Sequence, residues 1–179
     1  MSQPKSSVGR HGQLNLSFVH RGARTVMTEN FCRVPLQVLK PWYHESGCAC
    51  VYVLSPSGGV VQGDNYRIKL NLARQSHVLL TTLAATKIYG MSTCGAQQNT
   101  EVHVGEGATF EYLPAPTILF RDADFNQSFS LFLQDGAKAV VQDIVMPGRI
   151  ARGEVLEFRR YRNLVEISDQ DGLISFDSS

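Results

Sequence analysis

A strand, a tight turn and a second strand come back along this chain at a regular interval, and that recurrence limits its folds more than any other feature. The first copy lies between Gly58 and Tyr89. After Gln62-Gly63-Asp64, Tyr66, Ile68, Leu70 and Leu72 alternate with Arg67, Lys69 and Asn71. A period of two places alternate side chains on opposite faces, which is a half-buried strand. The run turns at Gln75-Ser76 and resumes at Val78 and Leu80. Val102, Val104, Gly107-Ala108, Phe110 and Tyr112 repeat the layout, and Leu131, Leu133, Gly136-Ala137, Ala139 and Val141 repeat it again. Units roughly 30 residues apart, none able to bury its apolar face alone, suit a stacked array. The competing arrangement is an ordinary antiparallel sandwich in which strand–Gly-Ala–strand arises by chance.

The rest of the chain agrees with β structure. Leu14, Leu16 and Phe18 alternate, Thr25 begins a return strand after His20-Arg21-Gly22, and Cys48–Leu54 is β-branched and aromatic enough for a buried strand. Pro35 and Pro41 interrupt pairing between them. Helix signals are poor, with Ala84 to Ile88 the best candidate for a helical turn, and a strand the alternative there. The expectation is an all-β fold with a stacked two-sheet, solenoid-like architecture and few or no helices. Residues 1–11 are expected to form a flexible terminal segment and 12–179 a single domain.

With 179 residues and a net charge of +1, the chain has no electrostatic footprint for nucleic acid or acidic lipid. No apolar run approaches the roughly 20 residues that span a bilayer, and MSQPKSSVGRHG lacks the apolar region of a signal peptide. The expected location is the cytoplasm, where Cys32, Cys48, Cys50 and Cys94 stay reduced.

Motifs for nucleophilic, zinc-protease or P-loop chemistry are absent. Gly58-Gly59 and Gly63 precede a strand, so the N–H groups of a helix start are not there to hold phosphate. Cys48 and Cys50 share one strand face, with His44 close in sequence. Together they offer thiolate and imidazole to a borderline metal, against the plainer reading of two small buried hydrophobes. His77 and His103 fall on the polar alternation, and His11 and His20 near turns, all expected to be solvated. The carboxylates are less ordinary. Asp64 sits in a turn, where bonding its own backbone is the plain reading. Asp143 ends the apolar run KAVVQDIVMPG, and Asp177 stands near the end of LISFD. A carboxylate in such surroundings is paired, hydrogen-bonded or wet. Three acids at strand ends could line a polar passage, or could be structural. Arg149, Arg152 and Glu154 in PGRIARGE form either an internal ion-pair turn or a weak partner-binding surface.

Taken in order and spacing, GGVVQGD, LLTTLAATKIY, FEYLPAPTILF, GRIARGE and DGLISFD resemble the UreD/UreH urease accessory proteins from about Gly12 onward. The resemblance implies a cytosolic, non-enzymatic scaffold of helically stacked β structure. Its implied partners are apo-urease and a UreF-type protein that recruits a UreG-type GTPase, with room for homodimerisation in the complex. It implies no tightly bound cofactor and a transient Ni2+ cargo moving along an internal wet passage. Family positions of that passage match Asp64, Thr86, Asp143 and Asp177, with Asp64 and Asp143 as the metal-contacting acids. Carboxylates, hydroxyls and water suit a weakly held dication better than thiolates, which would trap it. Two departures stand out. Gln62 replaces a common Gly, and the chain stops just after the DGL motif, so the usual C-terminal part is expected to be lacking. The alternatives carried forward are an assembly scaffold without a conduit, and an enzyme using the acids as general acid and base.

Overall fold

A computed structural model describes residues 11–179. The expected flexible segment lies outside them except for His11, which opens the first strand. Sixteen strands follow one another: β1 (His11–Arg21), β2 (Arg24–Arg33), β3 (Gln37–Val38), β4 (Trp42–Tyr43), β5 (Ala49–Leu54), β6 (Asn65–Leu72), β7 (His77–Thr82), β8 (Thr86–Ile88), β9 (Ala96–Val104), β10 (Thr109–Tyr112), β11 (Thr117–Leu119), β12 (Asp124–Leu133), β13 (Lys138–Val141), β14 (Val145–Met146), β15 (Arg160–Asp169) and β16 (Gly172–Ser178). The sole helical element among the described residues is a 3-10 turn at Ile150–Arg152. No helix there is long and apolar enough to cross a membrane.

The recurring unit is one coil of a parallel β-solenoid. β6, β9, β12 and β15 stack in register in one sheet, β7, β10 and β13 in a second, and β8, β11 and β14 in a third. Leu70 lies beside Val102, Val102 beside Leu131, and Leu131 beside Ile167. On the facing sheet Val78 lies beside Phe110, and Phe110 beside Ala139. These two inner faces supply much of the core, where Leu70, Val78, Val102 and Phe110 are fully buried. The stacked expectation holds, and the structure adds a short third face to the two foreseen. The stretch Ala84 to Ile88, open to either helical turn or strand, carries β8 over its last three residues. Its backbone is taken up by strand partners: β11 pairs with it in parallel, and Val60 bridges to Ile88 on its other side.

At the corner between the first two sheets, Gln75, Gly107 and Gly136 occupy the same left-handed conformation, with φ of 57°, 61° and 63°. Their amides bond up the stack: Gln75 N–H donates to the Glu106 carbonyl and Gly107 N–H to that of Asp135. Glycine takes this conformation without steric cost, which is why Gly-Ala marks the turn. Gly59 has a different reason to be glycine, because a Cβ there would lie 2.5 Å from the Lys87 carbonyl oxygen.

Both ends of the long sheet depart from parallel pairing. β2 runs antiparallel to β1 at one end and β16 antiparallel to β15 at the other. Each hairpin carries a register shift, at Ser17/Phe18 and at Ile167/Ser168.

Candidate functional site

The corner between the second and third sheets is built from 83–85, 113–116 and 142–144, carrying Leu-Ala-Ala, Leu-Pro-Ala-Pro and Gln-Asp-Ile. Small and imino-acid side chains there leave the interior unfilled, and a cavity of about 340 Å3 opens beside Ala85, Pro114 and Ala115. Hydroxyls of Thr82, Thr86 and Thr117 face it, as do Gln142 and Asp143.

Across from this corner, the first sheet contributes a polar rung. Tyr66 in β6 is in register with Gln98 in β9, Gln98 with Gln127 in β12, and Gln127 with Asn163 in β15. All four line the cavity. The next rung inward is Ile68, Thr100, Phe129 and Val165, and the one beyond it is entirely aliphatic. Apart from Thr100, polarity is therefore concentrated at one level of each coil and runs along the stacking axis.

The two central acids sit at opposite ends of that rung. Asp64 is 2% exposed. Its Oδ2 accepts the Tyr66 hydroxyl at 2.6 Å and the Val61 amide at 2.9 Å. Asp64 borders a second, smaller pocket shared with His11, Asn65, Gln97, Asn126 and Arg160. Tyr66 belongs to the large cavity's wall, so its phenol stands between the two spaces. The Arg160 guanidinium in the smaller pocket is held by Asp124, with Nε to Oδ1 at 2.9 Å and Nη2 to Oδ2 at 3.2 Å.

At the other end, Asp143 Oδ2 accepts Asn163 Nδ2 at 2.8 Å, Gln127 Nε2 at 3.1 Å and the Tyr161 hydroxyl at 3.2 Å. Asp143 is exposed as a residue, yet partial burial of its carboxyl pushes it above the usual aspartate value, against the opposing bonds from Tyr161 and Gln127. The neighbouring phenols respond in the same sense. Burial, then the Asp143 charge, pushes Tyr112 up to about 12 and also raises Tyr161. A carboxyl raised in this way favours acquiring a proton or a cation. Two buried amide oxygens, Asn65 Oδ1 and Asn163 Oδ1, have no hydrogen-bond partner among the described residues. One flanks each acid, where it adds acceptor character that a donor or a cation would satisfy.

The structure thus brings Thr86 and Asp143 to one cavity and sets Asp64 just behind its wall. Asp177 is not with them: it is exposed in β16, opposite Val165, and lines neither pocket. Glu154 is buried, with its Oε1 accepting the Arg121 amide and its Oε2 lying 2.5 Å from Arg149 Nε. Burial acts to raise its carboxyl, but the Arg121 amide and the Arg149 guanidinium hold it below the usual glutamate value. The Arg149 guanidinium also lies 4.4 Å from the Phe120 ring centre. Arg149 and Glu154 therefore make the internal turn, while Arg152 is exposed. His77 is half-buried against Glu111, and His103 is exposed beside Glu101. Sequence reasoning missed Tyr66, Gln127, Tyr161 and Asn163. Tyr66 stands two residues from Asp64 on the same strand face, so that partner was within reach of the alternation. The others depend on how separate coils align.

The chain is thus a parallel β-solenoid whose cavity is lined by a polar rung with a carboxylate near each end. A profile described as the UreD urease accessory protein matches residues 10–179. Over 175 residues the chain is 35% identical to urease accessory protein UreD of Cenarchaeum symbiosum, covering 94% of this chain and 61% of that protein. It is 34% identical over 175 residues to the UreD of Haloarcula marismortui, covering 97% and 58%, and 37% identical over 169 residues to that of Dechloromonas aromatica, covering 94% and 59%. The chain belongs to the UreD urease accessory protein family. It spans about three-fifths of the length of these relatives.

Proposed function

We propose that this protein serves urease maturation as a scaffold between apo-urease and a UreF/UreG-type complex, and that Ni2+ moves through its lumen as cargo. The observation that carries the conduit is the in-register rung Tyr66–Gln98–Gln127–Asn163, which joins the surroundings of Asp64 to those of Asp143 through four strands. A passing dication needs oxygen donors that hold it weakly, and the rung offers phenol and amide groups between two carboxylates. The raised Asp143 carboxyl fits the same use, since a cation offsets the cost of its charge. Leu173, Ile174 and Phe176 in β16 and Leu156 after the 3-10 turn are exposed, which supports a contact surface for partners. Arg152, exposed in the 3-10 turn before β15, adds a charge near Leu156 in sequence.

The test is nickel analysis of urease matured with the Asp64→Asn/Asp143→Asn double variant. Both substitutions keep hydrogen-bonding side chains in place. Nickel content should fall while the complex still co-purifies, and wild-type loading would remove the conduit. Thr86→Trp separates a conduit from a scaffold alone. As a plug in the cavity wall it should lower loading in a folded, assembled complex, whereas a scaffold without a passage tolerates it.

A further inference from the structure

Away from the lumen, on the opposite face of the second sheet, three metal-ligating side chains converge that the maturation reading does not use. Cys48, His77 and Glu111 each offer a donor atom, and these atoms lie within 4.8 Å of one another. Cys48 directly precedes β5, His77 begins β7 and Glu111 lies in β10, three neighbouring strands of one sheet. Ala49 is in register with Val78, which sets Cys48 beside His77, and Thr109 pairs with His77, which sets Glu111 one side chain along. Val78 and Phe110, the residues between these positions, point into the core, so alternation turns the cluster outward.

We propose that Cys48, His77 and Glu111 form a binding site for a divalent ion of the Zn2+ class. Sulfur, imidazole nitrogen and carboxylate oxygen are the zinc donor types, and three protein ligands leave one position for water or a further side chain. Cys50, the other buried thiol on this strand face, lies outside the group of three donors. A tetrahedral zinc centre holds its donors about 3.3–3.8 Å apart given its usual bond lengths. His77 Nε2 and Glu111 Oε1 now lie 2.6 Å apart and would separate by about 0.7 Å to reach that spacing. Both partners are only half-buried, with side-chain exposures of 35% and 32%, and are free to make that adjustment.

An ion pair alone would account for His77 and Glu111, and a small core residue alone would account for Cys48. Neither accounts for a buried thiol meeting both groups at one point. Zinc binding would displace the thiol proton, as at any cysteine site. The thiolate also sets this site apart from the lumen: it retains an ion that oxygen donors would release. Such an ion would fasten three successive strands on the outside of the stack.

The experiment uses the full chain, stripped of metal, with Cys32→Ser and Cys94→Ser removing the thiols outside this region. Titration with Co2+ should give thiolate-to-cobalt charge transfer and the visible bands of four-coordinate cobalt at one equivalent, both displaced by Zn2+. Cys48→Ala should abolish the charge transfer. His77→Gln and Glu111→Gln should each weaken Zn2+ binding by at least the roughly 10–100-fold that loss of a mere outer-shell partner costs. The proposal fails if no charge transfer appears, or if the bands and the affinity survive His77→Gln and Glu111→Gln and so belong to the cysteines alone. If Cys48→Ala does not fold, the two variants at half-buried positions decide the matter by themselves.

Discussion

Each coil of this protein has two corners that differ in kind. At the first, Gln75, Gly107 and Gly136 stack in one left-handed conformation, and the side chains just inside, Val78, Ala108 and Phe110, are fully buried. At the second, Ala85, Pro114 and Ala115 border open space, and Thr86, Thr117 and Asp143 face it. The same stacking rule builds both. What separates them is side-chain volume and the freedom of the backbone, so a repeat can be solid on one side and hollow on the other without changing its hydrogen-bond ladder.

That contrast breaks most readily at Phe110. Phe110→Ala should cost about 3–5 kcal/mol of unfolding free energy, measured by urea denaturation, because a solid corner cannot collapse around the gap. Ala85→Leu, which adds volume at the hollow corner, should stay within about 1.5 kcal/mol of wild type. If the two losses are alike, the hollow corner is packed after all. Of smaller effect, Gly136→Val should destabilise by roughly 1–2 kcal/mol through the left-handed backbone alone. Gln75→Gly at the equivalent position should be neutral to stabilising by up to about 1 kcal/mol, the relief of that conformation being partly offset by greater freedom in the unfolded chain.

The smallest expected effects are in pH dependence, and they have opposite signs for two acids. Glu154 is held below its ordinary value, so its contribution is complete above the unfolded value near 4.5 and is lost as pH falls through the folded one. Asp143 is raised. Relative to Asp143→Asn, the wild type should be favoured below the unfolded value near 3.8 and lose that advantage as pH rises through the folded one. Urea midpoints of wild type, Glu154→Gln and Asp143→Asn across acidic pH check both. Parallel curves for the two variants would mean that the acids do not occupy the contrasting surroundings described.

Much of the stack was legible because its long strands alternate cleanly and its first corner is written in Gly-Ala. The third face was not. β8, β11 and β14 are two or three residues long, too short for a period of two to show, and they form because neighbouring coils supply their partners. The oddly placed acids were visible as charges beside apolar runs, and Tyr66 could be inferred from strand alternation. The donors to Asp143 lie in β12 and β15, and only the register between coils brings them there. Proximity in sequence misled at Cys48. His44 is bonded to Ser46, while the groups that reach the thiol come from β7 and β10. Gln62 is not idle either: its amide oxygen accepts the Ser92 and Thr93 amides and so secures the loop before β9.

The antiparallel strands at the two ends of the long sheet have a consequence for how copies of this molecule can meet. A parallel solenoid with bare terminal coils presents each newcomer with a surface like its own interior, and could lengthen head to tail into a fibril. β2 and β16 reverse the chain direction at those ends, and the register shift in each hairpin interrupts the regular ladder there. A strand that adds to either of these edges therefore meets the backbone of a reversed hairpin strand instead of a parallel coil.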